Sequence, residues 1–281
     1  MTMHYDPIKK SLGTFFNKTP FLRILFYKLL DLLLLRTWHV KRELKTWIKG
    51  FRRTDAASLY DRQGCWMLDA GSGFGQYTWF LSNLMKDAYI LAVDVKEEQI
   101  EDCNAFFIKV GKKDVLFEKA DLTTFSKPDK FDLILSVDVM EHIEQDEKVF
   151  RNFYDSLTQD GMVLISTPSD LGGSDVHDHG KEDSFIEEHV RDGYNINDIQ
   201  EKLKRAGFFR TEAHYTYGKP GQLGWKLSMK FPIRILNISK IFFILLPFYY
   251  ILTYPLALIC NTLDVALPQS TGTGLIVKAW K

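Results

Sequence analysis

The sequence predicts a doubly wound α/β sheet, and three observations predict it. Between residues 55 and 209, short apolar strand-like runs alternate with helix-like runs of about 10–15 residues, the order that parallel strands joined by crossover helices require. The first such strand, "CWMLDA", runs directly into glycines at alternate positions, Gly71, Gly73 and Gly75, and then into an apolar helix-like stretch. At 281 residues, 46% hydrophobic and 14% aromatic, the chain can bury one sizeable core with elaborations, and its composition excludes disorder.

The elements follow in order. A helix begins at about Gly75, and the strand "YILAVDV" (Tyr89–Val95) precedes the helical "KEEQIEDCNAFFIKVG". The strands "VLFEKADL" (Val115–Leu122) and "FDLILSVDV" (Phe131–Val139) come next, followed by a helix from Glu141 to about Leu157. "GMVLISTP" (Gly161–Pro168) is a strand, and "NINDIQEKLKRAGF" (Asn195–Phe208) reads as a capped amphipathic helix. "GTGLIVKAWK" (Gly272–Lys281) is a further strand.

Two apolar, basic flanks enclose this acidic middle. Residues 1–53 hold 12 Lys/Arg against 3 Asp/Glu (net +9), residues 54–218 hold 17 against 32 (net −15), and residues 219–281 hold 7 against 1 (net +6). The zero net charge is a sum of opposites. A nucleic-acid partner is excluded by the acidic middle, whereas an anionic membrane surface suits the flanks. The division expected is therefore 1–53 as basic amphipathic helices and 54–281 as the α/β domain, with an apolar insert at about 219–268.

In the N-terminal flank, Arg23, Lys28 and Asp31 interrupt the apolar run, so it falls short of a spanning helix and resembles an interfacial one, the alternative being a helical cap packed on the core. No small-residue signal cleavage site follows it. In the second flank, 23 uncharged residues separate Lys240 from Asp264, long enough to cross a bilayer, but Pro247 and Pro255 are expected to break the run. A single crossing would strand Gly272–Lys281 on the far side, away from its sheet, so a re-entrant or interfacial unit is expected, the alternative being a lid over the site or a dimer interface. The three cysteines, Cys65, Cys103 and Cys260, form no CxxC pair, which fits free thiols in a reducing, cytoplasmic setting.

The glycines let a strand turn sharply and let a ligand lie against bare main chain. A dinucleotide register would need Gly or Ala at 76, where Gln76 stands, and no Gly-Lys-Ser/Thr is present, so a phosphate ligand is disfavoured. The pattern Asp69-x-Gly71-x-Gly73-x-Gly75 instead resembles the first motif of class I S-adenosylmethionine-dependent methyltransferases, and the likeness continues through most of residues 65–210. It implies a Rossmann-like sheet of seven strands, the last antiparallel and inserted between the fifth and sixth, with "FFRTEAHYTYG" (Phe208–Gly218) as the sixth. It also implies that Asp69, Gly71, Ser72, Gly73 and Gly75 cradle the methyl donor. Asp94 with Val95 would meet the ribose, Asp121 and Leu122 the adenine, and Ser136 with its following loop would line the donor. The family joins strands six and seven by a short hairpin; here about 50 residues intervene.

The segment "SVDVMEHI" resembles the corresponding loop of ubiquinone-biosynthesis O-methyltransferases. If helical, it would project Asp138, Glu141 and His142 to one side, where they could hold magnesium or another divalent ion that acidifies a hydroxyl. Glu141 as a cap and His142 as packing is the alternative. His142, His179 and His189 are candidate general bases, and His177 lies in the same polar cluster after the fifth strand. "EHVRDGY" is similar to a segment that orders the pocket wall in the ubiquinone-type relatives. The resemblance implies S-adenosylmethionine-dependent methyl transfer, most simply to the oxygen of a hydrophobic quinone, lipid, polyene or isoprenoid acceptor at the cytoplasmic face of a membrane. N- or C-methylation, or a non-catalytic donor-binding membrane subunit, are the rivals.

Overall fold

The computed structural model describes residues 19–54, 64–172 and 190–281. Seven strands form one sheet in the order β3-β2-β1-β4-β5-β7-β6. They are β1 (Cys65–Ala70), β2 (Ala88–Asp94), β3 (Val115–Lys119), β4 (Phe131–Val137), β5 (Leu157–Pro168), β6 (Arg210–Thr216) and β7 (Gly274–Trp280). Strands β1 to β5 pair in parallel, and β7 runs antiparallel between β5 and β6. The expected topology is the observed one.

The helices are α1 (Pro20–Leu33), α2 (Leu35–Thr54), α3 (Gln76–Leu84), α4 (Glu97–Lys109), α5 (Asp146–Ser156), α6 (Ile196–Arg205), α7 (Lys219–Trp225), α8 (Phe231–Ile238) and α9 (Leu246–Ala266). Both sheet faces are covered, which is why β1 and β4 read as continuous apolar runs and not as alternating ones. On one face Phe150 and Phe153 of α5 and Ile199 and Leu203 of α6 pack against Leu68, Ile134 and Val163. On the other, Val40, Leu44 and Ile48 of α2 and Leu81 of α3 pack against Met67, Leu133 and Leu164. Each fully buried side chain of this size stabilises by about 1.5–3 kcal/mol, so α2 is integral to the core. Helix α1 packs beyond α4, with Tyr27 among Phe106, Phe107 and Phe117.

Helix α6 starts as expected, with the Asn195 side chain accepting from the amides of Asn197 and Asp198. The helix expected from Glu141 to about Leu157 forms, but it starts five residues later than expected. A short 3-10 turn covers Met140–His142, and α5 begins at Asp146. The cause is Arg191, whose guanidinium donates to the carbonyls of Met140 (3.2 Å), Ile143 (2.9 Å) and Glu144 (3.2 Å) and so draws them out of helical pairing.

The connection between β6 and β7 is helical throughout most of its length, and β7 returns to the sheet. Here the expectation holds at one proline and fails at the other: a 3-10 helix (Lys240–Ile244) gives way to α9 just before Pro247, but Pro255 does not break the run. Pro247 occupies the first turn of α9, where its missing N–H costs nothing, and Pro255 sits inside a helix that continues for 21 residues. Helix α9 is long and apolar enough to cross a membrane by length and composition, and only 17% of its apolar window is buried. Its far end is anchored by Asp264, 1% exposed, which accepts from His39 of α2 (2.8 Å) and from the amides of Tyr217 (3.1 Å) and Gly221 (3.0 Å).

Candidate active site at the carboxyl edge of the sheet

The turn after β1 has the geometry that its glycines permit. Gly71, Gly73 and Gly75 all adopt left-handed backbone, at φ +85°, +49° and +75°. The amides of Gly71 and Ser72 donate to the Val93 carbonyl (2.8 and 2.9 Å), and Gly75 N–H closes the turn onto Ser72 O (2.8 Å). A Cβ on Gly71 would lie 2.2 Å from Val139 Cγ2, so the loop after β4 is packed directly on the turn. A Cβ on Gly73 would meet no atom within 4 Å, leaving bare main chain open on that side.

The acids surround this turn. Asp69, 2% exposed, accepts from the Thr78 hydroxyl, and burial, reinforced by Asp94, raises its pKa to about 6. Asp94 accepts from Gly73 N–H at Oδ2 (2.9 Å) and from Lys96 N–H at Oδ1 (3.0 Å). One amide per oxygen fixes the carboxylate plane and leaves lone pairs for two hydroxyl donors. Val95 presents 51% of its surface beside Asp94. Asp121 is exposed, with Oδ1 accepting from the Thr123 amide (2.8 Å) and hydroxyl (2.7 Å), while Leu122 is buried. Ser72 and Ser136, 7% and 0% exposed, each carry a buried hydroxyl with no hydrogen-bond partner. Buried polar atoms are rarely left so, and these two flank the same turn.

The expected metal triad does not assemble. Asp138 takes left-handed backbone (φ 52°) ahead of the 3-10 turn, so it shares no helical face with Glu141 and His142. Its carboxylate pairs instead with Arg36. Glu141 is 1% exposed and accepts from Thr167 Oγ1 (3.1 Å), with burial raising its pKa. Among the described residues no group of three His, Cys, Asp or Glu side chains could hold a metal ion. His142 lies half-buried in the turn after β4. His177, His179 and His189 lie outside the described residues.

Several residues to which the sequence assigned no specific contact build the site. Tyr194 and Arg191 both reach the Met140 carbonyl and the Asp146 carboxylate, tying the post-β4 loop to α5. Arg23 and Tyr27 of α1 reach the Phe74 carbonyl, inside the glycine turn. Gln76, at the start of α3, donates to Asp31 of α1 (2.9 Å) and Thr37 of α2 (3.4 Å). The N-terminal helices thus roof the site. Their only sequence signal is the charge placed within an apolar run.

A family model described as a methyltransferase domain matches residues 61–214, 154 of the 281 in the chain. The chain belongs to the methyltransferase-domain family. Phosphoethanolamine N-methyltransferase of Triticum aestivum is 30% identical over 144 residues, 50% of this chain and 27% of that protein. Malonyl-[acyl-carrier protein] O-methyltransferase of Bacillus anthracis is 31% identical over 101 residues, 36% of each. Phosphoethanolamine N-methyltransferase 2 of Haemonchus contortus, solved in complex with S-adenosyl-L-methionine, superposes with a TM-score of 0.54 at 19% identity, over 78% of this chain and 49% of that one. A likeness at that identity speaks to the fold. The matches span about a quarter to a third of the length of these curated relatives.

The roof (α1 and α2) and the insert (α7 to α9) lie outside the residues that the family model matches. Within the methyltransferase domain, the site fits S-adenosylmethionine. Bare main chain at Gly73, two orphaned serine hydroxyls and three carboxylates suit a ligand with a ribose, an amino group and a cationic sulfur, and suit a phosphate poorly.

Proposed function

We propose that the chain transfers the methyl group of S-adenosylmethionine to a hydrophobic small-molecule acceptor drawn from a membrane surface. The observation that carries the donor is the glycine turn held between Asp69 and Asp94, with the unpartnered Ser72 and Ser136 hydroxyls facing the same space. The bound donor supplies an electrophilic methyl on a sulfonium. The protein's part is placement: Asp94 orients the ribose, Asp69 balances the positive charge, and the post-β4 loop, braced by Arg191 and Tyr194, walls the acceptor side.

The exposed apolar surface of α9 and α1, with the net positive flanks, supports delivery of the acceptor from a lipid surface. The acceptor atom divides two readings. Oxygen is the first, and a quinone-type acceptor follows from the likeness of residues 136–143 to the ubiquinone-biosynthesis group. Nitrogen is the second, favoured by relatives named for N-methylation of phosphoethanolamine and of (S)-coclaurine. Incubation with methyl-labelled donor and a membrane lipid extract tests the proposal. A labelled lipid-phase product is expected, and its methyl chemical shift separates oxygen from nitrogen. Donor binding with no labelled product from any extract would favour the non-catalytic reading.

A further inference from the structure

Helix α1 is inside out. Phe21, Leu25, Leu29 and Leu32 fall on one stripe and are 74%, 38%, 37% and 44% exposed, while Arg23 and Tyr27 are 2% and 1% exposed. An amphipathic helix on a water-soluble surface does the reverse. The buried pair has a defined task. Arg23 Nε donates to Tyr27 Oη (2.8 Å), its Nη1 to Asp102 Oδ2 (2.8 Å), and its Nη2 to Phe74 O (3.0 Å), a carbonyl that also accepts from Tyr27. Phe74 stands between Gly73 and Gly75, so its carbonyl fixes the peptide planes of the turn that faces the donor. Asp94 pins the turn from β2, through Gly73 N–H. Helix α1 pins it from the other side.

We infer that Arg23 and Tyr27 are positioning residues for the donor-binding turn, and that a lipid surface on the outer stripe of α1 sets how firmly they hold it. This rests on the membrane reading above. The stripe continues onto the insert: Tyr254 of α9 donates to Leu32 O (2.9 Å), and Phe248 and Leu252 of α9 are 66% and 80% exposed. Charge selects the occupant. The insert, residues 219–268, carries 5 basic residues (Lys219, Lys226, Lys230, Arg234 and Lys240) against 1 acid, and that acid, Asp264, is buried. An anionic bilayer complements such a face, whereas a second copy would bring two positive faces together. In water, the exposed stripe favours a roll of α1 toward the core, at the expense of the Phe74 contacts. Acyl chains over the stripe remove that pull, so the donor site is completed where the acceptor is.

Calorimetry with S-adenosylhomocysteine as the probe, with and without phosphatidylcholine–phosphatidylglycerol vesicles, tests this, and co-sedimentation reports docking separately. Wild type is expected to bind the probe about five- to tenfold more tightly on vesicles. Arg23→Gln and Tyr27→Phe should bind it more weakly and lose the vesicle effect, with Arg23→Lys recovering part of it. Phe21→Ser with Leu25→Ser, at exposed positions that leave the fold intact, should keep the vesicle-free affinity and lose the gain. Wild type that sediments with vesicles yet binds the probe equally well on and off them would overturn the coupling alone. Absence of vesicle binding, or a solution dimer dispersed by Phe21→Ser, would overturn the membrane reading with it.

Discussion

Asp94 and Asp69 flank one turn but act differently because their surroundings differ. Asp94 is fixed by two amides and keeps acceptor capacity, so Asp94→Ala is expected to weaken donor binding by about 2–4 kcal/mol by calorimetry. Unchanged affinity would remove Asp94 from the ribose. Asp69 is buried and its pKa stands at about 6, above the 3.8 of a free side chain. The native state therefore holds this proton more tightly than the unfolded chain. The stability that the proton contributes is full below about pH 4 and is lost as pH rises to about 6. A cationic donor reverses the preference by favouring the carboxylate. Its affinity should fall below pH 6, by about tenfold at pH 5 relative to pH 7.5; a flat profile from pH 5 to 8 would detach Asp69 from the donor's charge. Gly71→Ala should destabilise by about 2–4 kcal/mol in denaturant unfolding, since its Cβ meets Val139 at 2.2 Å on a left-handed backbone, and Val139→Ala should recover part of that loss. Asp69 and Gly71 were legible because they stand in one glycine-spaced motif, and Asp94 because it ends the next strand. Arg23 was not: its partners across the fold, the Phe74 carbonyl and the Asp102 carboxylate, lie 51 and 79 positions away, and a lone arginine in an apolar run reads as an interruption.

At the scale of elements, period and glycine placement sufficed for the sheet. Strands buried on both faces leave continuous apolar runs, and only a parallel sheet uses so many. What the sequence hid was contact-driven. The segment after β4 has helix-forming residues, yet Arg191, nearly 50 positions on, captures its carbonyls and leaves a 3-10 turn. That capture also separates Asp138 from Glu141 and His142, so the metal reading failed with the helix that it assumed. Arg191→Met should cost about 3–5 kcal/mol in thermal unfolding, because Asp146 is 4% exposed and loses a charged partner, with Lys202 (2.9 Å) limiting the loss. A variant as stable as wild type would mean that the loop is held by packing alone. Pro255 shows the opposite limit: the rule that proline ends helices was outweighed by a 21-residue apolar run packed on α7 and α2.

At the scale of the whole molecule, the distribution of charge and of apolar surface yields a test of the proposed membrane reading. The flanks are net +9 and +6 and the middle is −15, so an anionic surface attracts the ends and repels the catalytic core. On the membrane reading proposed above, the core would face water with its insert toward lipid. Because β7 pairs with both β5 and β6, the chain must return from the insert to the side it left. The protein should therefore bind anionic vesicles peripherally. Each basic residue near the surface adds about 1 kcal/mol at low salt, while the apolar contacts of α9 are insensitive to salt. Co-sedimentation in 0.05 M and 0.5 M salt is expected to show a large loss of binding at high salt with a residual bound fraction. Serine replacements at exposed Ile241, Phe248 and Ile251 should abolish the residual fraction and leave donor affinity in the absence of vesicles unchanged. A tag placed after Lys281 should stay open to added protease on sealed vesicles. Protection of that tag would mean that the insert crosses the bilayer, which the closed sheet does not allow, and a wholly soluble wild type would assign the insert to covering the site.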